Sequence, residues 1–254
     1  MINKRLIPVL LRNNGLVKTL KFNNSVYIGD PINAVKIFNE KLVDELIFLD
    51  IDATKENRKP NINLIHEIAT ECFMPFSYGG GINNLDDISD IIKAGAEKVI
   101  INEAALSNDK LIREASIKFG SSTIIVSIDV KTPFFSNSPC VYSNNGKRCW
   151  KINPVDHARN MEQKGAGEIF INSILLDGTM NGYDLELINE ISSNIKIPVV
   201  ACGGAGNLSH ISEAIKKTKV SGLGAGSLFS FYKSRKAVLI NYPNREELKD
   251  HRIN

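Results

Sequence analysis

The chain has 254 residues, of which 43% are hydrophobic and 23% charged, with a formal net charge of +3. Basic and acidic residues are interspersed, so no basic tract predicts binding to nucleic acid or to an anionic membrane. No apolar run approaches the roughly 18 residues of a membrane span, and the charged first residues do not resemble a signal peptide. The four cysteines form no CxxC pair and share no metal-ligand spacing with the four histidines. We expect a cytoplasmic globular protein without a metal or other cofactor.

Apolar runs with the character of buried parallel strands alternate with helical patterns along the whole chain. The predicted strands are 5–11, 45–52, 75–80, 98–102, 123–130, 168–174, 198–203 and 220–226. The predicted helices are 31–42, 61–71, 84–94, 107–118, 153–164, 184–193 and 207–217, and residues 227–236 follow the last strand. Eight strand–helix units in about 250 residues predict an α/β fold, a single (β/α)8 TIM barrel spanning 1–254 as one domain. An open doubly wound sheet is the alternative.

Three long loops are expected at the carboxyl ends of the strands, where such barrels carry their active sites. They are residues 12–31, 131–151 and 175–184. The second loop contains two β-prone pieces around Asn144, Asn145 and Gly146, which predicts a hairpin.

One stretch of the chain is an internal sequence repeat. Residues 75–106 recur without a gap as residues 198–229, a constant 123 positions later. Identical residues occupy Pro75/Pro198, Gly80/Gly203, Gly81/Gly204, Asn84/Asn207, Leu85/Leu208, Ile88/Ile211, Ser89/Ser212, Ile92/Ile215 and Lys93/Lys216. Each copy predicts a strand, a glycine turn, an asparagine-capped helix and a second strand. The repeat predicts two half-barrels of the same build, which superpose.

The paired glycines of each copy suggest a ligand. Glycine lets a backbone approach a ligand closely, and the N-terminus of the helix that follows attracts anions. A tight turn without a ligand explains either pair alone. Two such turns half a chain apart favour a substrate that carries a phosphate at each end.

Several stretches together resemble the cyclase subunit of imidazole glycerol phosphate synthase, the HisF family, over nearly the whole chain. They read KRLIPVL, VDELIFLDIDA, YGGGI, AEKVIINEAAL, IDVK, GAGEIFINSILLDGTMNGYD and ACGGAG. The resemblance implies a subunit of a lyase complex that receives ammonia from a glutaminase docked on the bottom face of the barrel. At the top face, the family uses this ammonia to cleave and cyclise a bisphosphorylated substrate.

The resemblance also implies which residues act at the top face. Phosphate contacts fall on Gly81 and Asn102 at one site and on Gly178, Gly204, Gly226 and Ser227 at the other, while Asp177 and Thr179 match a top loop. Glu103 and Ile100 replace a family threonine and serine at the first site. Because an acid repels phosphate, we expect that site to be weak and the second to be intact. Lys18 or Lys21 is the candidate for the family's loop lysine.

Four charged residues stand at strand starts, each just before an apolar run: Arg5, Glu45, Lys98 and Glu168. Two cations and two anions there predict a neutral ring across the barrel, because isolated buried charge is prohibitive. Ordinary ion pairs at strand edges are the alternative. In the HisF family these four positions form the charged gate through which ammonia enters.

The end of the first strand departs from the family. The position of a family aspartate is Leu11, although its partner at the end of the fifth strand is present as Asp129. The chemistry of the family requires one carboxylate as acid and one as base, and leucine moves no proton. We therefore expect cyclase activity to be lost, and the sister isomerase reaction is excluded for the same reason. Asp52 is the only obvious substitute acid.

A chain that has the four gate residues but lacks the first-strand acid resembles the HisF-like paralogues that accompany surface-polysaccharide enzymes. That resemblance implies a conduit that passes glutamine-derived ammonia to a separate sugar amidotransferase, which builds acetamidino groups. The expected partners are a HisH-like glutaminase in a heterodimer, the sugar amidotransferase and a phosphorylated small molecule. A working cyclase of histidine biosynthesis and a non-catalytic phospholigand-binding scaffold are the alternatives.

Overall fold

The structure is a computed structural model that describes residues 4–108, 110–134, 136, 138–232, 237–251 and 253. Its inner layer is formed by strands β1 Arg5–Arg12, β2 Leu46–Asp50, β3 Phe76–Gly79, β4 Lys98–Ile101, β5 Ile124–Lys131, β6 Glu168–Ser173, β7 Val199–Cys202 and β8 Gly222–Ala225. Each strand pairs in parallel with its neighbours, and β1 closes the ring by pairing with β8, Arg5 opposite Gly222. The predicted (β/α)8 barrel is confirmed, and the open sheet is excluded.

Helices cover the outside of the barrel. They are α1 Pro31–Glu40, α2 Ile62–Glu71, α3 Leu85–Lys93, α4 Lys110–Phe119, α5 Pro154–Gln163, α6 Leu185–Asn194 and α7 Leu208–Lys217, followed near the carboxyl end by α8 Arg245–Asp250. Asn84 caps α3 by accepting hydrogen bonds from two backbone N–H groups of its first turn, and Asn207 caps α7 by accepting one, from the backbone N–H of His210. Both predicted caps are confirmed.

The two copies of the repeat have the same order of elements. Strand β3, helix α3 and strand β4 in the first copy correspond to β7, α7 and β8 in the second. Both glycine turns contain two consecutive residues with positive φ, at 121° and 73° for Gly80 and Gly81 and at 97° and 103° for Gly203 and Gly204. These angles belong to a backbone region that side chains disfavour. The superposition of the half-barrels stays a prediction.

Hydrophobic side chains form two separate layers. The larger layer lies between the strands and the surrounding helices. The smaller one fills the inside of the barrel with Ile7, Val9, Ile47, Ile100, Ile125, Phe170, Val200 and Cys202. Side chains alternate along each strand between these layers, so the inward positions of the barrel run from the charged strand starts, through this apolar cluster, to the strand ends.

The connections differ from the sequence expectation in three places. The first long loop is an antiparallel hairpin, Leu16–Leu20 with Asn23–Gly29, whose two-residue turn has Lys21 and Phe22 at positive φ. The predicted helix 107–118 corresponds to α4, which begins at Lys110, and an unpredicted short helix, Glu103–Ser107, precedes it. Beyond β8 come a short turn at Ser227–Phe229 and then α8, which was not predicted; residues 233–236 lie outside the described part.

The hairpin predicted in the second long loop is confirmed. Cys140–Ser143 pairs with Arg148–Cys149, and the turn between them places Asn144, Asn145 and Gly146 at positive φ. Within the described ranges, no helix is long and apolar enough to cross a membrane.

Candidate functional site: a top-face cleft above a charged ring

The ends of the eight strands surround one cleft, which we name the top-face cleft. The open space between its walls, counted out to the mouth, is about 1240 Å³. Its walls include Leu11 and Asp129 and the residues predicted from the resemblance as phosphate contacts, Gly81, Asn102, Gly178, Gly204, Gly226 and Ser227, together with Asp177. Thr179 is not part of the wall; its hydroxyl donates to the carbonyl of Leu176 at 2.8 Å. The structure therefore brings together the predicted phosphate contacts, Asp129 and Asp177, but not Thr179.

Packing within the chain explains the glycines at both turns without a ligand. A Cβ on Gly81 would lie 2.5 Å from the carbonyl oxygen of Arg58, and a Cβ on Gly204 would lie 2.0 Å from that of Gly182. Both contacts are far inside van der Waals distance and involve backbone. The chain's own packing therefore requires glycine at both turns, and the argument from glycine to phosphate is weaker than the sequence suggested.

Asp129 is suited to proton transfer at neutral pH. Burial raises the pKa of its carboxyl group to about 7, the nearby charge of Asp177 raises it as well, and a hydrogen bond from the Ser127 hydroxyl at 3.3 Å opposes the shift. Leu11, on a strand four places around the barrel, offers hydrocarbon to the same cleft. The cleft thus holds a carboxyl group with a raised pKa at Asp129 and no titratable group at Leu11.

The first hairpin is held over the cleft by Asp177. The Asp177 Oδ2 atom accepts hydrogen bonds from the Thr19 hydroxyl at 2.6 Å and from the backbone N–H of Phe22 at 3.3 Å. The backbone N–H of Lys21 donates to the Asp177 carbonyl at 2.9 Å. A Cβ on Gly178 would lie 2.0 Å from the Thr19 carbonyl oxygen. The hairpin and the loop after β6 therefore pack backbone to backbone.

Of the two candidate loop lysines, Lys18 reaches the cleft and Lys21 is exposed. The Lys18 ammonium donates to the carbonyl of Val9 at 2.6 Å. Burial lowers the pKa of Lys18 to about 8, although the charges of Asp177 and Cys202 act in the other direction. A Cβ on Gly226 would lie 2.4 Å from the Lys18 Nζ atom, so the ammonium rests against the Gly226 backbone.

The acid at the tip of the second strand is Asp50, not the expected Asp52. Asp50 lies in the cleft wall, where Arg12 contacts it at 2.6 Å and Arg58 at 3.0 and 3.1 Å. Asp52 is turned away from the cleft, and its Oδ1 atom has Lys55 and Asn145 at 3.5 Å. Asp52 is therefore a poor substitute for the missing acid, and Asp50 is already neutralised by two guanidinium groups.

Glu103 is not the bare negative charge that the sequence suggested. Arg148, on the second hairpin, donates to Glu103 Oε1 at 3.0 Å and stacks on the Trp150 ring at 3.8 Å. The other oxygen, Oε2, is buried and accepts no hydrogen bond within the described chain, and the same holds for Asn144 Oδ1. Charge repulsion toward phosphate is thus reduced, while unpaired acceptors remain.

Among the polar residues of the cleft that sequence reasoning missed is Asn172. It lies near the end of β6 between Asp129 on β5 and Cys202 on β7. It is 6% exposed, and its Oδ1 atom has no hydrogen-bond partner among the residues described. Asn172 follows Glu168 by four residues on the same strand, and because side chains alternate along a strand both lie on its inward face. This spacing could have identified Asn172 from the sequence. No group of three or more His, Cys, Asp or Glu side chains in the described ranges could hold a metal.

The four charged strand-start residues form a closed ring at the other end of the barrel, which we name the base ring: Arg5, Glu45, Lys98 and Glu168. Arg5 pairs with Glu45 at 2.6 Å and with Glu168, and Lys98 pairs with the same two carboxylates at 3.4 and 3.2 Å. Burial alone would lower the pKa of Arg5, but its two acidic partners outweigh burial and raise it.

Each cation of the base ring thus touches both anions, so the ring is neutral. The two glutamate side chains are 5% and 6% exposed, against 26% for Arg5 and 25% for Lys98. The Ser77 hydroxyl adds a hydrogen bond to Glu45 at 3.3 Å. Simple strand-edge pairs do not describe this geometry, because all four side chains meet across the barrel.

Comparison with known proteins agrees with this architecture. The family model described as histidine biosynthesis protein matches residues 5–235. A Pseudomonas aeruginosa protein provisionally named imidazole glycerol phosphate synthase subunit hisF2 is 49% identical over 249 residues, covering 98% of this chain and 99% of the relative. A Vibrio vulnificus protein provisionally named subunit hisF3 is 43% identical over 250 residues, with 98% and 96% coverage.

A Clostridium botulinum protein named imidazole glycerol phosphate synthase subunit HisF is 40% identical over 247 residues, with 97% of this chain and 98% of the relative covered. The chain belongs to the histidine biosynthesis protein family and, within it, to the HisF-like synthase subunits.

Proposed function

We propose that this chain accepts ammonia from a separate glutaminase at its base ring, conducts it through the barrel, and delivers it at the top-face cleft to a reaction other than imidazole cyclisation. The observation that carries the proposal is the complete base ring in a chain whose first-strand acid is Leu11. A HisF-like subunit that had lost its chemistry and its supply of ammonia together would have no reason to retain four mutually paired charges, because a buried ion ring is not needed for stability.

The surface around the base ring supports docking of a partner. Leu42, between α1 and β2, is 72% exposed, and Phe73, between α2 and β3, is 88% exposed. Asn39 joins these two connections, since its side-chain oxygen accepts from the Phe73 N–H at 3.0 Å. Large apolar side chains held at the surface on a fixed backbone favour a protein interface. The partner is a HisH-like glutaminase in a heterodimer.

The interior supports conduction of a neutral molecule. Above the base ring, the inward positions are aliphatic or aromatic up to the level of Ser127 and Asp129. An apolar wall disfavours ions, because removing a charge from water costs several kcal/mol even after relaxation. Ammonia can pass such a wall as an uncharged molecule.

The destination of the ammonia follows from the altered mouth. With Leu11 in place of an acid, Asp129 has no carboxylate partner across the barrel, so the acceptor chemistry belongs elsewhere. We assign that chemistry to a separate sugar amidotransferase that builds acetamidino groups for surface polysaccharide, on the resemblance of GLVKTLKF and YIGDPINAVKIFNEKLVDEL to that branch. A phosphorylated small molecule in the cleft, near Gly204 and Ser227, completes the proposal.

The test is association with the candidate glutaminase, measured by calorimetry or analytical sedimentation. Phe73→Ala should weaken the complex by roughly tenfold or more, as expected for an aromatic anchor. Phe134→Ala is the matched control, because Phe134 is an equally exposed phenylalanine (94%) in the loop after β5, at the opposite end of the barrel. Absence of any association, or equal effects of the two substitutions, would remove the main support for the conduit.

A further inference from the structure

Unused hydrogen-bonding capacity is distributed unevenly around the top-face cleft. Beside Gly81 and Asn102, the unused groups are acceptors. Glu103 Oε2 and Asn144 Oδ1 are both buried, both belong to residues that line the cleft, and neither receives a hydrogen bond in the part of the chain described. A buried acceptor without a donor is unfavourable because it has lost its hydrogen bonds to water, so this side of the cleft is incomplete on its own.

The cations on the same side are already engaged. Arg148 donates to Glu103 Oε1 at 3.0 Å, and Lys55 pairs with Asp52 at 3.5 Å. Arg58 forms two contacts with Asp50, at 3.0 and 3.1 Å. A phosphate arriving here would have to compete with these carboxylates, and it would add acceptors to a place where acceptors are in excess. A group that donates hydrogen bonds would meet the unpaired oxygens directly.

The opposite side of the cleft supplies donors, and one unpaired acceptor, Asn172 Oδ1, lies there next to Gly203. The Lys18 ammonium lies against Gly226 and uses one proton on the Val9 carbonyl, so that two N–H protons remain. The hydroxyl of Ser227 belongs to the same wall. A cation with spare protons beside a hydroxyl and glycine backbone is suited to a phosphate group.

We propose that the top-face cleft takes a ligand with a phosphate at the Lys18 and Ser227 end and a hydrogen-bond-donating group, an amine or hydroxyls, at the Glu103 and Asn144 end. The phosphate group of the ligand is inferred partly from the proposed function. The hydrogen-bond-donating group of the ligand is inferred from the unpaired acceptors of the cleft alone. The ligand is thus a phosphomonoester with a polar or aminated tail. The bisphosphorylated substrate of the HisF family does not fit this cleft, because its second phosphate would face the unpaired acceptors.

Four probes with one spacer test the proposal: hexyl phosphate, hydroxyhexyl phosphate, aminohexyl phosphate and hexanediol bisphosphate, each repeated with shorter and longer chains. Affinities are measured by isothermal titration calorimetry. At the best spacer, the amino or hydroxy probe should bind about tenfold more tightly than the alkyl phosphate, the ratio expected for one or two hydrogen bonds to a carboxylate. The bisphosphate should bind no more tightly than the alkyl phosphate.

A conservative variant separates the two ends. Glu103→Gln should reduce the advantage of the amino probe about tenfold and leave hexyl phosphate unchanged, because only the charge at the tail end is altered. Glu213→Gln, on the exposed face of α7, should change no affinity in the series. The variants are checked first by circular dichroism and thermal unfolding.

Three results would overturn the proposal. The bisphosphate binding most tightly would restore a second phosphate site. Equal binding of the alkyl, hydroxy and amino probes would mean that the Asn144 amide serves Glu103 internally. No binding of any probe would eliminate the phosphate end as well. None of these results bears on glutaminase association through Phe73, so failure here and failure of the conduit are distinguishable.

Discussion

The two ends of the barrel satisfy their polar groups in opposite ways. At the base, Arg5 and Lys98 share the carboxylates of Glu45 and Glu168, and each charge of the ring has its counterparts within the chain. At the mouth, the oxygens of Glu103, Asn144 and Asn172 include acceptors with no donor in the described residues, and Asp129 faces a leucine.

This difference separates what the fold completes alone from what it leaves to another molecule. A closed ring needs no ligand, and it gives the base one defined arrangement. The mouth carries unpaired acceptors, a lysine whose pKa is lowered to about 8 and a carboxyl group whose pKa is raised to about 7. Groups with shifted pKa values and free hydrogen-bonding capacity gather where ligands bind. In the isolated chain the base pairs all four of its charges, and the mouth keeps hydrogen-bonding capacity that is free for a ligand.

The cyclase reaction is the most severe test of this difference, because a cleft with all its catalytic groups would catalyse that reaction. With free ammonium supplied, so that no glutaminase is needed, the wild-type protein should turn over the imidazole precursor about 10²–10⁴-fold more slowly than an ordinary cyclase. Leu11→Asp alone should not restore the rate, since Glu103 and the altered first hairpin remain. Turnover near that of an ordinary cyclase, abolished by Asp129→Asn, would prove the mouth catalytically complete.

At the base, removing one member should be costly because it leaves a buried charge without a partner. Glu168→Ala is expected to lower the free energy of unfolding by about 3–5 kcal/mol, measured by urea denaturation. The matched control is Glu213→Ala, which removes an exposed carboxylate that pairs with Lys217 on α7 and should change stability little. Equal effects of the two changes would show that the ring is not a unit.

Asp129 should make stability depend on pH in a defined direction. Its raised pKa means that the folded state holds the proton more tightly than the unfolded state, so its stabilising contribution is complete below about pH 4 and is lost as the pH rises through about 7. Relative to Asp129→Asn, the wild type should therefore lose about 2 kcal/mol between pH 5 and pH 8. Denaturation at several pH values measures this, with the exposed Glu114→Gln as control. A wild type that gains stability relative to Asp129→Asn between pH 5 and pH 8 would contradict the prediction.

The smallest expected effect concerns the first hairpin, which closes over the mouth. Thr19→Val removes the hydroxyl that donates to Asp177 at 2.6 Å, which should cost about 1.5 kcal/mol. Opening of the hairpin should become roughly tenfold more frequent, and the Phe22 N–H, which donates to the same carboxylate, should exchange with deuterium correspondingly faster. Thr70→Val, on the exposed side of α2, is the control. Unchanged exchange at Phe22 would mean that backbone packing against Gly178 holds the hairpin by itself.

Local patterns were sufficient for the fold and for the base ring. Apolar runs marked all eight strands, and because charges at strand starts share one end of a parallel barrel, Arg5 and Glu168 could be brought together from sequence. The hairpin at residues 16–29 escaped detection because its turn places Lys21 and Phe22 at positive φ, where glycine or asparagine is the usual signal.

Contacts between loops could not be predicted in the same way. Arg148 neutralises Glu103 across 45 positions of chain, and no periodicity connects them. The placement of Asp52 at the cleft was wrong because Asp50 and Asp52 lie two residues apart around a strand end. The strand stops at Asp50, so the alternation that would have placed both on one side no longer applies.

The apolar interior between Glu168 and Asn172 has a consequence for acid–base balance. If ammonia crosses only as the neutral molecule, one proton of each arriving ammonium ion must be left below Phe170, on the glutaminase side. The acceptor reaction above then receives the free base, whose lone pair can attack an electrophile without first losing a proton in the cleft.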